Sequence, residues 1–437
     1  MRSDTSSSRP GDEPLSEDPA RAYRALTGAL LLALGAGCLV GIAVPAGMGW
    51  DFANFYDTGR RVAAGQIGDL YDSLSWIAGE PPQGRMRFWG SPISAWLYWP
   101  LSFFSAETAL VLFKVENTIA YLAGLGLLYL HLRRFAAPSA VAQWRFAATY
   151  AFLALIYQPF WTVYRVGGQS SPTVFLLVCM ALLAYTAARW AAAATLLVLA
   201  VLIKPAFVPL VVLLVLVSGL RFLIFTAGAF AVAGVLSLSA LGWEIHRQFL
   251  ALMVEGLGKT RYGWYNSSLY SVIQNFELLD ASRASAGALD PVVTAVKALV
   301  LASFGYLVFR ARSAALSDAA RRHFHFLVSL CFFLLLSGIL WEHYLSVLFL
   351  MLAYVVACHR YFRREAKWLI GGMFLFALGQ NVVVIDLVRS SLTLDSFPAI
   401  LVLGIFKSGL LILLLVFLWR HRPEWLRSYG AEAWRAS

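Results

Sequence analysis

The chain has 437 residues, 60% of them hydrophobic and 14% charged, with a mean hydropathy of +0.69 and a formal net charge of +11. A soluble domain carries only about half apolar residues, so that class is excluded, and apolar runs of roughly 18–25 residues, each long enough to cross a bilayer, recur along the whole length. The basic balance reads as the positive-inside bias of a membrane protein, not as nucleic-acid binding, and the four cysteines stand far apart, with no metal-ligand spacing.

In chain order, residues 1–24 are polar and mixed in charge, and read as a disordered cytoplasmic tail. The first span is expected at 26–48. An outer loop, 49–105, opens with WDFANFYDTGRR. There Phe52, Phe55, Tyr56, Val62 and Ala63 recur at three- and four-residue steps, the period of an amphipathic helix lying in the interface, with Asp51, Asn54, Thr58 and Arg61 on another face. The apolar piece 91–104 in the same loop is too short to cross and carries two prolines. Spans follow at 106–130, 146–164 and 172–188.

The next apolar run, 190–222, is interrupted by Lys204-Pro205. Each half has only about 14 residues, short of a crossing. Proline removes a helical hydrogen bond, and such breaks are tolerated at membrane depth only where backbone is buried in protein or lines a cavity. The run therefore reads as a hairpin of two short helices with Lys204 near its tip. Later spans are expected at 223–242, 291–309, 323–340, 344–358, 368–388 and 398–419, with a late outer loop at 243–290 and a cytoplasmic tail at 421–437. The fold class is an all-α polytopic membrane protein of about ten full spans plus the broken hairpin, a single membrane domain over 25–420. With the N-terminus inside, the inner side holds Arg133, Arg134, Arg145, Arg189, Arg221, Arg310, Arg312, Arg321, Arg322, Arg360, Arg363, Arg364, Lys367, Arg420 and Arg422, while the outer loops are poorer in basic residues for their length. Both termini are thus expected in the cytoplasm.

Five groups could carry chemistry. Asp51 either caps the helix that it opens or acts as a general base, with Asp57, Asp69 and Asp72 as rivals. Lys204 is costly at the middle of an apolar run unless it is paired or wet, and a fixed cation suits a phosphate. In 164-YRVGGQSSP-172, Gly167 and Gly168 permit close backbone approach, while Arg165 and Gln169 supply donors; an ordinary glycine turn is the plain alternative. Trp341, Glu342 and His343 fall in a tight outer turn, where the Trp alone would be an interfacial anchor. The stretch 259-KTRYGWYNSSLYSVI-273 mixes cations, aromatic rings and amides, the groups that bind sugars, and puts Trp264, Tyr265, Asn266 and Ser267 together. There is no P-loop, H-E-x-x-H, G-x-S-x-G or paired CxxC. A group donor would thus be lipid-borne and not nucleotide-borne.

The order of WDFxxFYxxGRRxxxGxxxxLYD, SPxxxWLYWPLS, GGQSSPTVFLL, LIKPAFVPL, a YNSSL loop and WEHY resembles glycosyltransferase family 87, membrane mannosyltransferase-like enzymes of the GT-C superfamily. The resemblance runs over about residues 25–350. It implies a GT-C fold whose site lies on the outer face of a bacterial inner or plasma membrane. It also implies inverting transfer of a sugar, mannose by family precedent, from a polyprenyl-phosphate donor to an extracytoplasmic glycolipid or glycan. The family's catalytic acid maps to Asp51, its G-Q turn to Gly168 and Gln169, its K-P break to Lys204 and Pro205, its late amide loop to Asn266–Leu269 and its W-[DE]-H motif to Trp341–His343. On that basis Lys204, Arg165, His343 and Gln169 are expected to hold the donor phosphate. Asn266, Ser267, Trp264, Tyr265, Glu342 and Asn54 are expected around sugar or acceptor. Ser171, Ser267 and Glu342 stand where members often have Asn, Gln and Asp, which leaves sugar and acceptor open. No cofactor is expected, a divalent ion at Asp51 being left open. The rival readings are a secondary transporter or flippase of a lipid-linked sugar, and a non-catalytic envelope partner.

Overall fold

A computed structural model describes residues 18–44, 50–72, 87–136, 139–165, 168–256, 266, 268–275, 289–313, 316–358, 367–368, 371–372 and 409–420. These residues are helical throughout, with no strand and one isolated antiparallel bridge between Asn266 and Trp341. Helix α1 (Asp18–Ala43) begins within the segment expected to be a tail. It is followed by α2 (Trp50–Ala63), two 3-10 segments at Pro92–Leu97 and Trp99–Phe103, and α3 (Ala106–Leu132). Then come α4 (Ala140–Ile156), α5 (Gln158–Arg165), α6 (Ser171–Thr186), α7 (Trp190–Ile203), α8 (Val208–Ser218), α9 (Leu220–Leu241) and α10 (Trp243–Gly256). The rest are α11 (Leu269–Asn275), α12 (Asp290–Ser313), α13 (Asp318–Leu336), α14 (Leu348–Cys358) and α15 (Gly409–Arg420). Serine caps set several starts. The hydroxyls of Ser105, Ser139 and Ser317 accept from Thr108, Ala142 and Ala320 amides at 3.3, 3.3 and 3.2 Å, taking up donors that a helix start leaves unpaired.

Five of the described helices are long and apolar enough to cross a membrane, or six when α4 and α5, bent by 44° at their junction, count as one. The chain is an all-α membrane protein, but the described residues hold fewer full-length spans than the expected ten. The segments expected at 172–188 and 344–358 are helices of 16 and 11 residues, and the expected span at 368–388 and the start of that at 398–419 lie outside the described residues. The hairpin of two short helices is present as α7 and α8, separated by Lys204 and a 3-10 turn at Pro205–Phe207.

The main core is built on α13 and α14, most of whose residues are buried, with α3, α4, α6, α7 and α8 around them. A buried polar cluster closes one end of this bundle. Arg134 donates to Nδ1 of His131 at 3.1 Å, and His323 Nδ1 donates to the Ala319 carbonyl at 2.8 Å. His131 therefore carries its proton on Nε2, which lies 3.1 Å from His323 Nε2 and 2.8 Å from the Tyr354 hydroxyl.

A second, smaller core lies at the opposite end. Here Phe52 and Tyr56 of α2 pack with Tyr71, Phe88, Tyr98, Phe113 and Leu252. The helix expected at 52–63 is present, but it does not present its apolar face to lipid. Phe52 is fully buried and lies 5.7 Å from the Phe113 ring, and the polar side (Asn54, Thr58, Arg61) is buried as well. The 3-10 segments cover it. Gly59 makes that contact possible, because a Cβ there would collide with the Tyr98 carbonyl oxygen. Arg61 and Asp57 form a buried ion pair at 3.0 Å, and Arg61 also donates to the Asp69 carbonyl.

Candidate active site at the broken helix

Lys204 follows the last turn of α7, with its own amide still donating to Ala200 at 2.9 Å. Pro205 then ends the helical ladder, since it has no N–H to give. The Leu202 carbonyl is taken up instead by Ser91, which donates both its amide (3.1 Å) and its hydroxyl (2.8 Å). The break is thus stitched to the segment that follows α2. The extended backbone at Lys204 turns its side chain into protein, where the residue is buried.

The Lys204 ammonium donates to Gln169 Oε1 at 2.7 Å and to Ser171 Oγ at 2.8 Å, and it lies over the Tyr344 ring at 4.6 Å. With its carbonyl oxygen committed to Lys204, the Gln169 amide has its NH2 end for Asp51, whose carboxylate it faces. Lys204 also lies within electrostatic reach of Asp51. One chain of groups, Asp51–Gln169–Lys204, therefore joins three elements far apart in sequence. Desolvation of half-buried Asp51 raises its carboxyl above the ordinary carboxylate range, while Gln169 and the Lys204 charge pull it part of the way back. Gln169 is presented by Gly168, whose φ of +108° is a conformation that favours glycine and whose Cα sits so close to the Phe113 ring that a Cβ would stand 2.9 Å from it.

His343 is buried beside Lys204, with its ring edge-on to Tyr344 at 4.7 Å. Glu342 is buried and accepts from the Thr162 hydroxyl at 2.9 Å. Asn54 donates its amide to the Arg87 carbonyl at 2.7 Å. Asn266 acts as a clasp. Its Nδ2 donates to the Gly338 carbonyl (3.0 Å), and its Oδ1 accepts from the amides of Leu340 (2.8 Å) and Ser268 (3.1 Å). It ties the late loop to the turn that carries Glu342 and His343. The side chain of Arg165, and residues Trp264, Tyr265 and Ser267, lie outside the described residues. Of the rivals to Asp51, Asp57 is held by Arg61.

Three residues to which the sequence assigned no role in the site also shape it. Ser171 and Tyr344 complete the surroundings of Lys204. Lys114, buried in α3, donates to the Gly41 and Val44 carbonyls at 3.1 and 2.9 Å and so closes the end of α1 just before Asp51. Its signal is the one that marks Lys204, a lysine inside an apolar run.

A helical membrane bundle with a carboxylate, an amide and a buried cation converging at one end fits a membrane-embedded group-transfer enzyme. The model of glycosyltransferase family 87 matches residues 88–338, more than half of the chain, and the chain belongs to that family. No curated protein matches the chain.

Proposed function

We propose that this membrane glycosyltransferase transfers a sugar, mannose first by family precedent, from a polyprenyl-phosphate sugar to a hydroxyl of a glycolipid or glycan on the outer face, with inversion and with Asp51 as general base. The single observation that supports this reading is the Asp51–Gln169–Lys204 chain, which sets a carboxylate and a buried cation on one shared amide, within electrostatic reach of each other, in a family 87 protein. The acceptor oxygen attacks the anomeric carbon, its proton passes to Asp51, and the bond from that carbon to the phosphate oxygen breaks with its electron pair on phosphate. The leaving lipid phosphate gains a negative charge and needs no protonating acid. It needs positive charge and donors aimed at it, the role assigned to Lys204, His343, Gln169 and Arg165. Glu342, Asn54 and the loop around Trp264–Ser267 are assigned to sugar and acceptor. The hydrogen bonds of the Asn266 amide to the backbone of Gly338, Leu340 and Ser268 favour a share in shaping that pocket over direct sugar contact.

The test compares wild type with Asp51→Asn, purified in lipid, for consumption of polyprenyl-phosphate mannose with a panel of acceptors. Loss of about 10²-fold or more in the variant is expected for a general base. Equal rates would remove Asp51 from the mechanism. Movement of the lipid-linked sugar across the bilayer without transfer would turn the reading into that of a flippase.

A further inference from the structure

Between Trp89 and Ala106 the outer loop carries no charged residue, in a protein of net charge +11. This stretch has two sides. One faces the site's platform: Tyr98 is buried, stacks on Phe55 with ring centroids 4.5 Å apart and adjoins Ser170, the neighbour of Gln169. The other side is open. Leu97 is 57% and Phe103 66% exposed, and Trp96, Trp99 and Phe104 are exposed beside them. Trp99 packs edge-on between Trp96 (6.2 Å) and Phe103 (5.3 Å), so these side chains form one ledge.

We infer that the ledge Trp96–Phe104 lies in the outer-leaflet interface of the bilayer, with lipid as its partner, and that it sets the depth at which Asp51 sits. Continuity argues for lipid over protein. The ledge runs straight into α3, a helix long and apolar enough to cross the membrane. On α3 the exposed Val111, Leu112, Ile119, Leu122 and Leu130 fall on one side at 3.6 residues per turn. That lipid-facing side carries on upward as the ledge. Tryptophan and phenylalanine with no charge among them suit the boundary between headgroups and acyl chains. At Gly59 the backbone of α2 packs directly against the Tyr98 carbonyl, which ties the position of α2 to that of the ledge. Only the consequence for Asp51 rests on its proposed role as base.

The test is spin labelling in phospholipid vesicles without any sugar donor, so its outcome is independent of whether Asp51→Asn keeps activity. Cys38, Cys179, Cys331 and Cys358 are buried, so a label goes to the introduced thiol. Leu97→Cys and Phe103→Cys are compared with Arg60→Cys on the exposed side of α2. Collisions with oxygen, which partitions into lipid, should exceed those with a water-soluble nickel chelate at 97 and 103, and the oxygen-to-chelate ratio there should stand several-fold above that at 60. Chelate-dominated collisions at 97 and 103 would overturn the inference. So would slow collisions with both reagents, which would mean that another protein surface covers the ledge.

Discussion

Asp51 must be ionised to take a proton, yet its half-buried position favours the neutral acid. Gln169 and Lys204 offset that burial, the amide by donating toward the carboxylate and the ammonium by its charge. The sign of their effect on the pH profile follows. The base works above its own pKa, so activity falls as pH drops through it, and the acid limb of kcat/KM should lie above the ordinary carboxylate range. Both neighbours lower that pKa, so Gln169→Leu and Lys204→Met should each move the limb to higher pH, while Ser171→Ala, which touches Lys204 alone, should move it less. Unshifted limbs in both variants would separate Asp51 from the amide and the cation. The Arg61–Asp57 pair, an i,i+4 pair within α2, offers a contrast, because it stands apart from the Asp51–Gln169–Lys204 chain. Replacing Arg61 by leucine takes the cation away from a buried carboxylate and should cost about 3 kcal/mol of stability in a thermal-shift comparison, with the position of the acid limb unchanged.

Two prolines break helices here, and in both cases a side chain takes up a carbonyl that the ladder no longer reaches. Pro159 cannot donate to Leu155, and the Trp161 indole does so at 2.6 Å, which holds the bend between α4 and α5. At the second break Ser91 takes Leu202 from 111 residues away. Ser91→Ala should weaken this link by about 1 kcal/mol. It should lower kcat more than it raises KM, because it loosens the spacing between the Asp51 platform and Lys204, and Ser91→Thr, which keeps the hydroxyl, should restore most of the rate. Equal rates for Ala and wild type would leave the amide bond alone in charge of the stitch. The break itself was legible in the sequence, since lysine and proline at the middle of an apolar run admit few readings. Its partner was not, because one serine in a loop looks like any other and a hydrogen bond across 111 residues leaves no local pattern. The same holds for Asn266. The residue type pointed to a sugar contact, while the structure uses both ends of its amide to clasp backbone. Lys114 carried a signal as plain as that of Lys204, and it closes a helix.

On the scale of the whole molecule, hydropathy identified the class, and among the described residues five helices, or six with the bent pair as one, are long and apolar enough to cross. α1 and α13 both read as spans, yet 17% of the α1 window and 78% of the α13 window is buried in protein. Apolar sequence records that water is absent, not whether lipid or another helix replaces it. Helices as short as α6 and α14 can therefore be apolar without matching the bilayer, because their neighbours cover them. The chain direction of these helices separates two ends. α3, α6 and α12 run away from the Asp51 platform and finish near Arg133 and Arg134, Arg189, and Arg310 and Arg312, while α13 starts beside Arg321 and Arg322 and runs back toward His343. Arg322 donates to the Thr186 carbonyl at 2.8 Å, so the basic residues of α13 meet the end of α6. By the positive-inside rule we propose that this basic end lies in the cytoplasm and the site outside. The check uses the buried native thiols as a silent background. Asp72→Cys, exposed beyond α2, should react with a membrane-impermeant maleimide in intact cells stripped of any outer barrier. Ala187→Cys, exposed in the turn after α6, should react only after permeabilisation. The reverse pattern would put Asp51 and Lys204 in the cytoplasm, where nucleotide sugars are at hand, and would remove the reason for a lipid-borne donor.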